Sequence, residues 1–262
     1  MVDYHTHTEL CEHAVGSVDD YIRAAIDGGL QEIGFADHAP LPDNLREGIT
    51  MRVGDTEKYL SLIAGKRAEY AGRIAVKTGF EVDFPFFDTF DRRYLTHPGI
   101  DYLIGSCHFI GDWPFDHPAA TERFKERDID EIYTEYYAIL ERLIASGAFQ
   151  IIGHFDLVKK FGHRARAEFE DTITVLARAC ASRDIAVELN TAGLRKPVGE
   201  IYPSQKILGI LFRENTPVTL GSDAHAPEEV AWEFARAVEL LRRTGYRSIS
   251  GFSARRRYDI PL

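Results

Sequence analysis

The first residues of the chain carry a high density of imidazole side chains. Residues 3–13, DYHTHTELCEH, hold three of the ten histidines in the sequence. Residues two apart on a strand project from the same face, so His5 and His7 are expected to lie side by side. Neutral imidazole is a common ligand of transition-metal ions, and the pair therefore predicts part of a metal site. An H-x-H pair can also arise by chance, so further ligands must come from elsewhere in the chain.

Other histidines and carboxylates follow short apolar runs of strand length. The segments FADH, TGFEVD, IGSCHF, IIGHFD and LGSDAH each place one or two such side chains near the end of a predicted strand. Unpaired polar groups after buried strands reduce stability unless they bind something. With the opening segment included, the candidate metal ligands are His5, His7, His13, His38, Glu81, His108, His154, Asp223 and His225. The remaining histidines, His97, His117 and His163, do not follow strands and are interpreted as ordinary loop or surface residues.

The number of candidate ligands indicates what the site holds. Nine groups are too many for one tetrahedral zinc ion and are enough for two or three divalent ions, such as zinc, iron or manganese. Three such ions beside only two carboxylates would leave about four excess positive charges. The cluster therefore favours an anionic ligand.

These residues need a scaffold that brings strand ends together. Apolar runs alternate with amphipathic segments along the whole of residues 1–262, without a linker or a change in composition. Strands are predicted at residues 2–4, 33–36, 74–80, 102–106, 151–153, 186–189 and 218–220, with a further one near Ser248, and helices near residues 18–27, 56–71, 129–146, 169–183, 204–214 and 228–243. This alternation favours a single α/β barrel domain over an open doubly wound sheet. In such a barrel the carboxyl ends of the strands form one rim, where the candidate ligands would meet.

Composition and charge disfavour several classes of protein. The formal net charge of -10 argues against general binding of nucleic acid, which needs many basic residues against phosphates. Cys11, Cys107 and Cys180 are widely spaced and are expected to be reduced, buried thiols. No apolar run approaches the about 20 residues of a membrane span, and no basic, apolar leader follows Met1. We therefore expect a cytoplasmic protein without a membrane partner.

The motifs taken together resemble those of a known family. H-x-H at 5–7, D-H at 37–38, G-x-E at 79–81, S-x-H at 106–108, G-H at 153–154 and S-D-A-H at 222–225, with His13, resemble the PHP (polymerase and histidinol phosphatase) superfamily across nearly the full chain. The segments IGSCHFIGDWPFDHP, GHFDLVKKFG and NTAGLRKP are similar to its histidinol-phosphate phosphatase branch in particular.

The resemblance implies a distorted (β/α)7 TIM-like barrel with a trinuclear metal site at the C-terminal rim. By analogy, one ion would be held by His5, His7, Glu81 and Asp223. A second would be held by Glu81, His108 and His154, and a third by His13, His38 and His225. Glu81 would then bridge the first two ions.

The resemblance also implies an activity. The expected reaction is metal-dependent hydrolysis of the phosphomonoester L-histidinol phosphate to L-histidinol and phosphate, in histidine biosynthesis. Divalent cations would activate the attacking water, and Asp223 would orient or deprotonate it. Either Asp223 or His38 can return a proton to the leaving oxygen. Two alternatives are a PHP-type phosphoesterase for another small phosphate ester or a nucleotide, and a non-catalytic PHP binding module.

Basic residues near two strand ends are candidate phosphate ligands. Arg195 follows LNTAGL, and its guanidinium matches phosphate geometry through paired donors. Lys159 and Lys160 follow the fifth strand, where they either contact phosphate or belong to a solvated loop.

The amine and imidazole of the substrate would need a carboxylate and an aromatic surface. Trp113, Phe115 and Asp116, on the loop after the fourth strand, are candidates. The same segment is equally consistent with a packed lid that makes no substrate contact.

Overall fold

A computed structural model describes residues 1–262. Seven strands lie side by side in chain order, and every neighbouring pair is parallel. The strands are β1 (Val2–Thr6), β2 (Glu32–His38), β3 (Ala75–Asp83), β4 (Tyr102–Ser106), β5 (Ile151–Ile152), β6 (Ala186–Asn190) and β7 (Val218–Gly221). All seven coincide with predicted strands, which the alternation of apolar runs had indicated.

The two edges of this sheet meet at the carboxyl ends of β1 and β7. The backbone N–H of His7 donates to the carbonyl of Ala224 at 3.0 Å, and the N–H of Ala224 donates to the carbonyl of His5 at 3.2 Å. The buried carboxylate of Asp3 accepts hydrogen bonds from the backbone N and the Oγ of Ser222, at 3.0 and 2.6 Å. These contacts form a seam that closes the sheet into a barrel.

The helices cover the outside of the barrel. They are α1 (Val18–Asp27), α2 (Asp43–Arg46), α3 (Thr56–Glu69), α4 (Ile129–Ser146), α5 (Glu170–Ser182), α6 (Gln205–Arg213) and α7 (Phe234–Thr244). The helix predicted from residue 228 starts later, at Phe234, so its predicted start was wrong. A 3-10 turn spans Pro227–Glu229, and Ala231 and Glu233 have φ of 55° and 58°, a left-handed conformation that an α-helix cannot include.

The barrel is irregular between β3 and α4. No α-helix connects β3 to β4; 3-10 turns at Phe84–Thr89 and Arg92–Leu95 take its place. A further 3-10 segment, Pro118–Lys125, follows β4. The seven parallel strands, the outer helices and these irregular connections confirm the predicted distorted (β/α)7 barrel.

A hairpin at the end of the chain covers the opposite end of the barrel from the ligand-bearing rim. It consists of β8 (Ser248–Ser253) and β9 (Arg256–Pro261), which pair antiparallel and lie outside the seven-stranded sheet. Phe252 packs against Tyr4 and Tyr102, with ring centroids 5.7 and 6.1 Å apart. The sequence predicted a strand near Ser248 but not β9 or the hairpin.

One hydrophobic cluster of 71 buried residues runs from β1 to β8. We infer from this continuity that residues 1–262 fold as one unit. The three cysteines are free and buried, as predicted. None of the helices has the length and apolar character needed to cross a lipid bilayer.

Phe252→Ala tests whether the hairpin shares the barrel core. Removing this buried ring should lower the free energy of unfolding by about 3–5 kcal/mol, through lost burial and the cavity left behind. Urea unfolding measures the change. Phe212→Ala is the control, because Phe212 is 39% exposed and its loss should reduce stability by about 1 kcal/mol or less. Equal losses in the two variants would contradict a shared core.

Candidate metal centre

Glu81 lies at the centre of the predicted ligand cluster. It is buried near the carboxyl end of β3, where the parallel register places it beside His38 of β2. Its Oε2 lies 2.9 Å from Nδ1 of His38 and 3.2 Å from Nε2 of His5. Its Oε1 lies 2.9 Å from Nε2 of His154 and 3.5 Å from Nε2 of His108. The two oxygens thus face different groups of imidazoles, an arrangement suited to a bridging carboxylate.

Asp223 approaches the same cluster from the seam. Its Oδ1 lies 3.2 Å from Nε2 of His7 and 3.8 Å from Nε2 of His5. Asp223 has φ of 52°, a left-handed conformation that is uncommon outside glycine and turns the chain sharply after β7. This turn directs the side chain inward over the first strand.

His13, His38 and His225 form a third group of imidazoles, which lies beside His5 and His7. His225 stacks on His7 and on His13, with ring centroids 4.1 and 4.6 Å apart. The rings of His13 and His38 are 5.3 Å apart. Ligand atoms of His7, His38 and His225 lie within 4.8 Å of one another. The structure therefore brings all nine predicted ligands together at one rim of the barrel.

Electrostatics hold the two central carboxylates in the ionised form. Burial raises the pKa of Glu81. The neighbouring imidazoles, led by His5 and His38, together outweigh this effect and hold the pKa well below its ordinary value. Asp223 behaves alike: burial raises its pKa and the imidazoles of His5 and His7 more than reverse the change. Ionised carboxylates are the form that binds cations.

The imidazoles divide into two kinds. Burial lowers the pKa of His7 to about 3, and burial also lowers the pKa of His13 and His225. Burial acts in the same direction on His5, but the carboxylates of Glu188 and Glu81 outweigh it and raise the pKa of His5 well above its ordinary value. Ligation of a cation by His5 would therefore require loss of a proton, whereas burial favours the neutral, ligating form of the other three.

Several inward-facing atoms of the cluster have no hydrogen-bond partner. Nε2 of His5, His7 and His225 and Oε2 of Glu81 are buried. Some of these atoms lie close to one another, but none of them makes a hydrogen bond of suitable geometry. Leaving buried polar atoms unsatisfied is unfavourable, and ligation of cations would satisfy all of them. Imidazole and carboxylate ligands suit zinc, iron and manganese. The residues therefore fit divalent metal ions.

Two carboxylates that the sequence did not single out hold imidazoles from outside the cluster. Oε1 of Glu188 lies 2.7 Å from Nδ1 of His5. Asp83 accepts a hydrogen bond from the backbone N of His108 at 3.1 Å, and its other oxygen lies 3.3 Å from Nδ1 of that residue. Glu188 interrupts the buried strand AVELN, and a charged residue within an apolar strand was the available signal.

Cys11 is also close to the third group. A ligand atom of Cys11 lies within 4.8 Å of those of His13 and His225. Burial raises the pKa of its thiol to about 12, with a smaller effect from Asp37. Its predicted character as a buried thiol is confirmed, but its place beside the metal ligands was not foreseen.

The predicted phosphate ligands lie in three different environments. Arg195 donates from Nη2 to the carbonyl oxygens of Ser222 and Asp223, at 2.9 and 3.2 Å, and its buried Nη1 has no partner. Lys159 is only 3% exposed. Lys160 is partly exposed, and its Nζ lies 3.1 Å from Oδ2 of Asp116.

The ammonium group of Lys159 is already engaged within the protein. It lies 2.8 Å from carboxylate oxygens of both Asp156 and Glu200. It also donates to the carbonyl of Ile201 at 3.0 Å. These contacts satisfy its three donors without a ligand.

The loop after β4 is mostly packed into the protein. Trp113 is buried, donates from Nε1 to the carbonyl of Ala120 at 3.0 Å, and packs against Phe124. Phe115 is fully buried. The structure therefore favours the packed-lid alternative for these two rings and leaves only Asp116 of the three within reach of a ligand. Outside the site, His117 caps Pro118–Lys125, and His163 stacks on Phe124.

Comparison with known proteins identifies the class of protein that this fold and cluster define. Residues 3–192 match the family model of the PHP domain, and the chain belongs to this family. The predicted resemblance is thereby confirmed. A probable histidinol-phosphatase of Deinococcus radiodurans is 39% identical over 253 residues, covering 95% of this chain and 96% of that protein. A histidinol-phosphatase of Bacillus subtilis is 30% identical, covering 90% and 98%.

A solved structure shares the fold over nearly the whole chain. It is histidinol phosphate phosphatase from Lactococcus lactis subsp. lactis, complexed with zinc, L-histidinol and phosphate. The TM-score is 0.82 at 24% identity, and the match covers 98% of each chain. At this identity the likeness supports the barrel architecture alone.

Chelation tests the metal centre. Dialysis against a strong chelator should lower the melting temperature, and added zinc, manganese or ferrous iron should restore it, because the folded cluster binds ions that the unfolded chain cannot hold in the same geometry. At a free metal concentration 100 times the dissociation constant, one site contributes about 2.7 kcal/mol. Calorimetry measures the melting temperature, and elemental analysis measures the number of bound ions. Fewer than one ion per chain in the active protein would exclude a polynuclear centre.

Proposed function

We propose that this chain is a metal-dependent phosphomonoesterase that hydrolyses L-histidinol phosphate to L-histidinol and phosphate in histidine biosynthesis. The observation that carries the proposal is the convergence of seven imidazoles on the ionised carboxylates of Glu81 and Asp223, at the rim of a PHP barrel. The relative at 39% identity, matched over almost its full length, supports the choice of substrate.

We assign three divalent ions to this centre, of zinc, iron or manganese. The first would be held by His5, His7, Glu81 and Asp223, the second by Glu81, His108 and His154, and the third by His13, His38 and His225. When bound, such ions neutralise phosphoryl oxygens and lower the pKa of a water molecule. The contacts of Oε2 of Glu81 with His5 and of Oε1 with His154 support the assignment of Glu81 to both of the first two groups.

Two residues of the cluster can act directly on the reacting atoms. The side chains of Asp223 and His38 are 19% and 14% exposed, whereas those of His5 and His7 are fully buried. A substrate that enters from solvent therefore reaches Asp223 and His38. Asp223 would orient the attacking water or accept its proton, and Asp223 or His38 would return a proton to the leaving oxygen.

Phosphate recognition is assigned to Arg195 and Lys160. The unpartnered Nη1 of Arg195 can donate to a phosphoryl oxygen while Nη2 holds the turn that contains Asp223. Lys160 can exchange its contact with Asp116 for one with phosphate. Lys159, which was the third candidate, supports the rim through its buried ion pairs rather than by touching the substrate.

A phosphate-release screen tests the substrate assignment. Histidinol phosphate should be hydrolysed with a higher kcat/KM than sugar phosphates, other amino-alcohol phosphates or nucleotides. Asp223→Asn is the control for contaminating phosphatases, and its turnover should fall on the order of a thousandfold or more, because an orienting carboxylate and a metal ligand are lost together. A preference for a nucleotide would support the alternative phosphoesterase, and no release from any ester would support a binding module.

Arg195→Met tests phosphate recognition separately from the substrate screen. Loss of a hydrogen bond to a charged group, worth about 1.5–3 kcal/mol, should lower kcat/KM by roughly 10- to 150-fold. Arg195→Lys should recover only part of this, because lysine lacks the planar fork of donors. Arg236→Met, at an exposed position on α7, is the matched control and should retain full activity. Unchanged kcat/KM in Arg195→Met would move the phosphate contact elsewhere.

A further inference from the structure

Glu188 links β6 to β1 and to the segment that follows β5. It is buried on β6, and its Oε1 lies 2.7 Å from Nδ1 of His5 on β1. Its Oε2 accepts hydrogen bonds from the backbone N of His154 at 2.9 Å and from Nδ2 of Asn190 at 3.0 Å. Gly221 of β7 makes room for this carboxylate, because a Cβ at that position would lie 1.8 Å from Oε1.

The contact with Glu188 determines which nitrogen of His5 carries hydrogen. An ionised carboxylate only accepts hydrogen bonds, so Nδ1 of His5 must donate. Ligation requires the neutral imidazole, and in the neutral form with hydrogen on Nδ1 it is Nε2 that has the lone pair. Nε2 faces Glu81 and Asp223, at 3.2 and 3.8 Å, and has no hydrogen-bond partner. The lone pair is therefore directed to the place where a cation would sit.

We propose that Glu188 is a positioning residue that selects the tautomer of His5 competent to bind metal, and so sets metal affinity at the group formed by His5, His7, Glu81 and Asp223. The inference rests on the metal centre of the proposed function. It concerns metal binding rather than turnover, so it can fail while the proposed reaction stands.

The two oxygens of Glu188 are not equivalent, and this makes glutamine an informative substitution. Two N–H donors converge on Oε2, from His154 and Asn190. An amide oxygen can accept both, whereas an amide NH2 would face them donor to donor. In Glu188→Gln the amide oxygen therefore takes the place of Oε2, and the NH2 group faces Nδ1 of His5. His5 then accepts at Nδ1 and carries its hydrogen on Nε2, so that ligation at Nε2 requires the loss of this hydrogen bond.

Alanine at position 188 should impair metal binding less than glutamine does, and stability more. Glu188→Ala removes every donor and acceptor, so it imposes neither tautomer on His5 and leaves metal binding weakened but possible. It also leaves the N–H of His154 and the Nδ2 of Asn190 without their acceptor and opens a cavity beside Gly221. The isosteric glutamine should thus preserve the fold better than alanine and bind metal worse.

The experiment measures zinc affinity and stability in parallel. Zinc binding to the metal-free full chain is measured by competition with a chromophoric chelator, and stability of the metal-free form by urea unfolding. Glu188→Ala should weaken zinc binding by about 10- to 100-fold, the usual effect of removing a hydrogen-bond partner of a ligating histidine. Glu188→Gln should bind roughly tenfold more weakly than the alanine variant, since about one further hydrogen bond opposes ligation. The glutamine variant should nevertheless be more stable to urea than the alanine variant.

Asp101→Asn is the matched control. Asp101 is a buried carboxylate immediately before β4, at the far end of the barrel, where it accepts from Arg67 and from the backbone N of Thr78. This change should lower stability and leave zinc affinity as in the wild type. At a pH high enough for His5 to be neutral, 15N NMR of the metal-free protein should show hydrogen on Nε2 of His5 in the Glu188→Gln variant and on Nδ1 in the wild type.

The outcomes separate the possibilities. Weaker zinc binding by Glu188→Gln than by Glu188→Ala, with the reverse order of stability, supports a tautomer-selecting role. Equal or tighter binding by the glutamine variant overturns it, as would a control that loses affinity to the same extent. A wild-type chain that binds no zinc, manganese or iron would instead refute the proposed metal centre itself.

Discussion

The rim of this barrel depends on the electrostatic balance between a few buried carboxylates and the imidazoles that surround them. Glu81 is within 4 Å of nitrogen atoms from five histidines, and it stays ionised there because those rings offset the penalty of its burial. Removal of its charge would leave several inward-facing nitrogens without an electrostatic partner. The same balance keeps Asp223 ionised on the other side of the cluster.

This balance is incomplete in the protein alone. Nitrogen atoms of His5, His7 and His225 and one oxygen of Glu81 remain without hydrogen bonds, although they are buried. An interior optimised only for stability would pair or replace such groups. The barrel supplies the compensating stability elsewhere, in an apolar core that continues from the strands to the terminal hairpin. The candidate ligands and the terminal hairpin that extends the apolar core thus lie at opposite ends of the same strands.

The ligand positions were predictable because they follow from a local rule. In a parallel barrel, a polar residue directly after an apolar strand lies at the carboxyl rim, whatever the details of packing. Glu188 escaped this rule because it lies within the predicted strand 186–189 rather than after it, and its partner His5 is 183 residues away. The burial of Lys159 likewise depends on Glu200, 41 residues later, which no local pattern around the lysine pair indicates.

The irregular elements escaped prediction for a related reason. The late start of α7 follows from the left-handed backbone at Ala231 and Glu233, two residue types without any special preference for that conformation. The terminal hairpin is defined by packing of Phe252 on Tyr4 and Tyr102, which lie far away in the chain. Sequence periodicity indicates helices and strands that are specified by residues close together in the chain. The late helix start and the terminal hairpin are instead determined by tertiary contacts.

The seam between β1 and β7 has a consequence for the order in which the molecule assembles. The other neighbouring strands pair across comparatively short connections, whereas Asp3 and Ser222 are separated by 219 residues. The entropy of closing such a long loop is overcome only when the intervening strands already hold the ends near each other. We therefore expect the seam to form late in folding, after synthesis has passed Ser222. Because the proposed first ion would take ligands from both sides of the seam, its binding energy would act mainly after the folding barrier, so bound metal should retard unfolding more than it accelerates folding.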